Sequence, residues 1–299
     1  VNKTSIEWVL NPDGTQGYTC SDKTGCLNHT PEGLCLGGLF PCYAHRLARG
    51  RLRYRYLGGN CIPAPYEFNS QVILDPFYPR FRPERLEQIR KHKKPVGIFL
   101  DDMSDWMGDY WRTEWTEMEL QVMRDCPQHR FYTLTKQPQN LIKWSPFLSN
   151  CWVGVTATDA NMALEAMNKL SFIEASIRYL SLEPLLGRMD EIFEPFPAGL
   201  EGFTPDWLII GACTGRKSEI LELCQRNPAL TSMPYGRIWT AQPRLEHVQE
   251  IVEAADRAGI KVFLKDNLKP LFASAVTIKD EWVWAKDRGQ GGLYRQEMP

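Results

Sequence analysis

The sequence has no run of about 18 apolar residues, so no membrane-spanning helix is expected. It has no surplus of charge: 35 basic and 36 acidic side chains leave a formal net charge of −1. That excludes a strongly basic footprint over the whole chain and leaves room only for a local nucleic-acid patch. Internal repeats and low-complexity tracts are also missing, which excludes solenoids and a mostly disordered chain. The opening residues, Val1 to Trp8, lack the long apolar core of a secretory signal, so a cytoplasmic location is expected. What remains is an ordinary globular composition, 43% hydrophobic and 24% charged over 299 residues. A chain of that size buries a full core.

Cysteine is present but badly distributed for a disulfide scaffold. There are 9, an odd number, and Cys20, Cys26, Cys35 and Cys42 crowd into one stretch. In a reducing compartment, clustered thiols hold a metal or an iron–sulfur cluster more often than a disulfide. Cys26, Cys35 and Cys42 are the core of the group. On a four-iron cluster, three thiolates leave one iron open and a fourth, Cys20, would close it. Zinc is the rival, held by four cysteines or by three with His29 or His45. The gaps between these cysteines are wider than in common zinc knuckles. Unligated thiols are the third reading, and the residues alone leave all three open.

Short β-rich runs recur along the chain: Ser5–Leu10, Val96–Leu100, Arg130–Thr135, Cys151–Thr156, Ile177–Leu182, Asp206–Gly211, Gly236–Thr240 and Ile260–Leu264. Helical spacing lies between most of them, at Glu114–Cys126, Ala160–Leu170 and Leu245–Ala258, the last stopping at Gly259. In the first of these, Trp115, Met118, Val122 and Met123 form the apolar face. Strand and helix in alternation predict α/β architecture. The number of units predicts a TIM-type (β/α) barrel, complete or partial, with an open doubly wound sheet as the runner-up. A single domain is expected over residues 1–278, with a cysteine-bearing insert at 11–82 and a peripheral tail at 279–299. Loops after barrel strands lie at the active-site face, so a cluster in the insert is placed for chemistry.

Lys136, Glu183 and Lys265 each follow a predicted strand and face the expected barrel mouth. A network among them would hold an anion or fix the barrel as an internal ion pair. Thr156, Thr158 and Gln242 are further mouth positions. Gly211 to Ser218 superficially resembles a phosphate loop but has the wrong glycine spacing, and reads better as a turn near a cofactor. Arg46, Arg49, Arg51, Arg53 and Arg55 alternate with Tyr54 and Tyr56. Such a run either binds phosphates and stacks bases or is the solvated face of an amphipathic helix. Trp106, Trp111 and Trp115 read as packing residues.

Ordered blocks run along most of the chain: Lys3-Thr4-Ser5-Ile6-Glu7-Trp8, Thr24-Gly25-Cys26, Cys42-Tyr43-Ala44, Asp102-Met103-Ser104-Asp105, Cys126-Pro127-Gln128-His129, Leu134-Thr135-Lys136-Gln137-Pro138, Trp152-Val153-Gly154-Val155-Thr156, Leu182-Glu183-Pro184 and Phe263-Leu264-Lys265. With them the sequence resembles a phage- and prokaryote-associated family of three-cysteine proteins of unknown function, radical-SAM-like in type. The Cys42-Tyr43 pair adds a shorter likeness to the spore photoproduct lyase family. The resemblance implies Cys26, Cys35 and Cys42 as ligands of a [4Fe-4S] cluster, with Cys20 a bystander. Ser21-Asp22 stands where the family pattern has Asn-Pro, and the cysteine gaps are longer. It also implies S-adenosylmethionine as cofactor, near Tyr43, Asp102, Ser104, Asp105, Thr156 and Gly211. One electron, from a donor such as flavodoxin or ferredoxin, would cleave the cofactor to a 5′-deoxyadenosyl radical. Lys136, Glu183 and Lys265 would serve catalysis. The implied substrate class is a nucleic acid or nucleotide, as in DNA modification or repair. The competing reading is a non-radical protein with zinc or a closed cluster, binding nucleic acid or a protein partner.

Overall fold

The computed structural model describes residues 1–64, 74–189, 203–274 and 295–299. The parallel strands are β1 (Tyr18–Cys20), β2 (Gly97–Leu100), β3 (Arg130–Thr135), β4 (Cys151–Thr156), β5 (Arg178–Leu182), β6 (Trp207–Ile210) and β7 (Lys261–Leu264). β2, β4 and β6 are buried at every residue. Such unbroken apolar runs are what strands covered on both faces require.

Two compact units divide the chain, residues 1–155 with 169–178, and 156–168 with 179–299. In the first, β1, β2, β3 and β4 pair in parallel in that order, and Asn2–Lys3 adds an antiparallel edge to β1. Its core carries an aromatic ladder: Trp8 lies 4.9 Å from Phe99 and 5.7 Å from Tyr132, and Tyr132 lies 5.2 Å from Trp152. The helices α1 (Tyr43–Arg49), α2 (Arg53–Leu57), α3 (Glu84–Lys91) and α4 (Thr113–Asp125) follow β1 and β2. In the second unit, β5, β6 and β7 pair in parallel, and Tyr179, Trp207 and Phe263 stack along them. The amphipathic helix α5 (Ala160–Ser171) follows β4. Helices α6 (Lys217–Arg226) and α7 (Leu245–Ala258) complete the frame. Helix α7 ends at Gly259, whose φ of 71° favours glycine.

The fold is mixed α/β with a large parallel sheet, but among the described residues no strand pairing closes a barrel. One predicted strand falls out, and a second is a strand of another sheet. Ser5–Leu10 is not a strand; its Val9 N–H closes a turn on Ile6, and Trp8 and Val9 are buried as packing residues. The first parallel strand is β1 instead. It enters through Gly17, where a Cβ would sit 2.7 Å from the Gly97 carbonyl oxygen and 2.8 Å from that of Val9. A short apolar run signals burial without specifying strand. Gly236–Thr240 is likewise no barrel strand: Ile238–Gln242 pairs antiparallel with both Cys213–Gly215 and Thr231–Tyr235. In α4, Met118 is exposed and Glu119 takes the buried face.

The Arg46–Arg55 run is two short helices, α1 and α2, rather than one amphipathic helix. Of the predicted tail, residues 279–294 lie outside the described residues. Its last residues bond to β7, with the Leu264 N–H on the Arg295 carbonyl at 2.8 Å. No helix among the described residues is long and apolar enough to cross a membrane.

Candidate functional site

The cysteine loop leaves the C-terminal end of β1. Thr24 is buried, and Gly25 takes a φ of +87°, with a Cβ position only 2.4 Å from the Phe77 carbonyl oxygen. Only glycine fits that passage, and it delivers Cys26, whose N–H bonds the same carbonyl at 3.0 Å. Cys35 sits in a small hairpin, Leu34–Cys35 against Phe40–Pro41, turned by Gly38 and by Leu39 at positive φ. Cys42 caps α1: its sulfur accepts the His45 N–H at 3.5 Å. Cys26 and Cys42 pack on a buried cluster of Ala44, Ala48, Tyr56, Phe77 and Met103. The sequence therefore spends glycines and a helix cap on bringing thiols to one loop.

Burial pushes the Cys26 thiol up to about 12, with Asp105 adding to the rise, and burial also raises Cys42. Cys26 senses Cys42, and Cys42 senses Cys35. Their sulfurs do not all fall within 4.8 Å of one another; among the described residues, the only ligand trio that close is Asp22, Asp101 and Glu119. A tetrahedral zinc ion needs its sulfurs about 3.8 Å apart, given bonds of about 2.3 Å. Lys136 lies among these groups. Burial works against its charge, but Cys35, Asp105, Cys42 and Cys26 outweigh that and hold its pKa above the ordinary value. A cation there fits the negative charge that a thiolate-ligated cluster carries. Cys20 is turned to other work, its thiol 3.7 Å from the Arg85 carbonyl.

The residues after β2 are engaged by their neighbours. Asp102 accepts the Ser21 hydroxyl, and its carbonyl accepts the Tyr43 hydroxyl. Asp105 accepts the Thr135 hydroxyl at 2.5 Å and the Lys136 N–H at 3.0 Å. That carboxylate thus ties the end of β2 to the end of β3. The Ser104 hydroxyl is buried with no hydrogen-bond partner.

The remaining predicted residues lie in the second unit. Lys265 donates to Glu183 at 2.6 Å, and Asn267 donates to the same oxygen at 3.2 Å. Gly211 packs against this pair, its Cβ position 3.1 Å from both Glu183 and Lys265 carbons. Thr156 is buried with an unpartnered hydroxyl. Thr158 meets the Met162 sulfur at 3.3 Å, and Gln242 donates to the Asn267 carbonyl at 2.7 Å. Glu183 and Lys265 thus meet as predicted, whereas Lys136 belongs to the first unit, beside the thiols. Gly211 to Ser218 forms no phosphate loop: Cys213–Gly215 is a strand. Asn267, which fixes both Glu183 and the Ala212 backbone, carried no motif and was missed.

In the first unit, Arg51, Arg55 and Arg85 line a cavity of about 370 Å³ with Ser21, Tyr56 and Asp102. Behind the loop lies a second feature that the motifs did not announce. Asp22, Lys23, Asp101 and Glu119 meet in the interior, at 0%, 0%, 2% and 0% exposure. Glu119 was legible in principle, because it stands four residues after Trp115 and three before Val122 on the apolar face of α4.

Two solved structures of spore photoproduct lyase share the fold. One, complexed with dinucleoside spore photoproduct, matches at TM-score 0.50 and 14% identity, covering 81% of this chain and 75% of that one. The other, carrying a cysteine-to-serine substitution, matches at TM-score 0.52 and 14% identity, covering 89% and 80%. No curated protein matches the sequence. A family model described as a protein of unknown function (DUF5131) matches residues 3–223, most of the chain. The chain therefore belongs to the DUF5131 family.

Proposed function

We propose that this chain is a radical-SAM-type enzyme acting on a nucleotide or nucleic acid. The observation that carries the reading is the gathering of Cys26, Cys35 and Cys42 around the charged Lys136. The lyase fold supports it. Cys26, Cys35 and Cys42 would hold a [4Fe-4S] cluster, and Lys136 balances its charge. Such a cluster, reduced by a flavodoxin- or ferredoxin-type donor, would supply one-electron reductive cleavage of S-adenosylmethionine into methionine and a 5′-deoxyadenosyl radical. Asp105 holds the ends of β2 and β3 together beside Cys26. Tyr43 and Asp102, joined by their hydrogen bond, fix the start of α1. Ser104 offers a buried hydroxyl in the first unit and is assigned to the cofactor. In the second unit, taken by itself, the buried Thr156 hydroxyl and Gly211, which packs on Glu183 and Lys265, are assigned to a bound ligand. Lys265, oriented by Glu183 and Asn267, is assigned to an anionic group of substrate or cofactor. The lyase was solved with a dinucleoside, and the arginine-lined cavity fits phosphate, which favours a nucleotide-type substrate.

The test is the iron and sulfide content of protein purified without oxygen, with its paramagnetic resonance spectrum when reduced. About four irons and four sulfides and a spectrum perturbed by S-adenosylmethionine are expected. One zinc without sulfide would overturn the reading, as would cofactor cleavage retained after each of Cys26→Ala, Cys35→Ala and Cys42→Ala.

A further inference from the structure

Lys23 is wholly buried and well satisfied: its Nζ donates to Glu119 Oε2 at 2.5 Å, to Thr116 Oγ1 at 3.0 Å and to the Trp106 carbonyl at 3.3 Å. Its own N–H donates to Asp101 Oδ1 at 3.0 Å, and the Trp106 indole donates to Glu119 at 3.2 Å. The carboxylates are not satisfied. Both oxygens of Asp22, Oδ2 of Asp101 and Oε1 of Glu119 are buried without a donor. Asp22 is fully buried, and one carboxylate oxygen from each of Asp22, Asp101 and Glu119 lies within 4.8 Å of the others. Three carboxylates against one ammonium leave a formal charge of −2, far from water. Buried oxygens of this kind are normally paired, and buried charge is normally compensated. Oxygen facing oxygen requires something positive between them.

We infer that Asp22, Asp101 and Glu119 bind one hard divalent cation of the Mg²⁺ or Mn²⁺ class, which neutralises the pocket and buttresses the cysteine loop from behind. An all-oxygen, carboxylate-rich donor set suits such ions and not the soft metals that thiolates select. The charge closes: a dication offsets the residual −2. Lys23 occupies the far oxygen of Glu119 and leaves Oε1 for the ion. The site lies in the chain that connects β1 to Cys26, so filling it stiffens the peptide that presents the first thiol. It is independent of whether the thiols carry a cluster.

The test uses the full chain, stripped with EDTA and titrated with Mn²⁺ while free Mn²⁺ is followed by paramagnetic resonance. About one tightly bound Mn²⁺ per chain is expected, competed by Mg²⁺ and accompanied by a rise in melting temperature. Asp22→Asn and Asp101→Asn should each weaken binding at least about tenfold and abolish the thermal shift. A variant with Cys26, Cys35 and Cys42 all changed to Ala should keep the Mn²⁺, which separates this site from the thiols. No stoichiometric binding by folded wild-type chain would overturn the inference. A wild-type melting temperature that Mn²⁺ leaves unchanged would overturn it too, leaving protons shared among the carboxyls.

Discussion

Lys23–Glu119 and Lys265–Glu183 are both lysine–carboxylate pairs, one in each unit. Their surroundings differ. The Lys265 pair is partly open, at 12% and 25% side-chain exposure, and its charges balance one to one, with Asn267 adding a further donor. The Lys23 pair is closed, at 0% and 0%, and shares its space with two more carboxylates. The lesson concerns compensation. An open, balanced pair remains available to a ligand, whereas a closed, unbalanced one is structural and requires a further positive charge. The thiol loop combines features of both, with Cys35 buried, Cys26 and Cys42 partly so, and one lysine, Lys136, supplying the charge.

The largest expected effect is at the thiols. Each of Cys26→Ala, Cys35→Ala and Cys42→Ala should abolish cluster loading, read as iron and sulfide content, while far-ultraviolet circular dichroism stays unchanged. Next comes Lys23→Met. It strands three buried carboxyls, and loss of one partner of a buried pair costs about 3–5 kcal/mol. Lys265→Met, at the more open pair, should cost only about 1 kcal/mol or less. Urea unfolding of the two variants side by side sharpens the contrast, and equal losses would break it.

pH separates the pairs further. Burial, and then repulsion from Glu119, raises both Asp22 and Asp101 well above the ordinary value of 3.8. The folded chain therefore holds protons there that the unfolded chain has released, and metal-free stability falls as pH rises from about 4. Asp22→Asn should flatten that fall between pH 5 and pH 8, measured by urea unfolding in EDTA. The smallest effect is kinetic and concerns the cluster-free chain. With its thiol raised to about 12, Cys26 should be alkylated at neutral pH at least about a hundredfold more slowly than an unperturbed cysteine. Peptide mapping after iodoacetamide reads this directly.

Much of the frame was legible in the sequence. The runs at Arg130–Thr135 and Cys151–Thr156 are strands at the predicted bounds, and α7 begins and ends as read from its periodicity and Gly259. Those signals are local: unbroken β-branched and aromatic runs, 3.6-residue spacing, and a glycine past the last turn. The misreadings share one cause. Ser5–Leu10 and Gly236–Thr240 are apolar enough for a strand, but their partners are chosen by distant backbone, at Gly97 in the first case and Cys213–Gly215 in the second.

The sequence by itself determined that helices alternate with buried parallel strands and that thiols gather in one early loop. Composition, period and spacing act over a few residues and are written in order along the chain. Only the tertiary structure decided which charges meet. Lys23 reaches Asp101 across 78 residues and Glu119 across 96, and Lys136 comes to lie among Cys26, Cys35 and Cys42. No periodicity encodes such meetings. They follow from which ends of which strands and helices pack together, and from the cost of burying a charge without its complement.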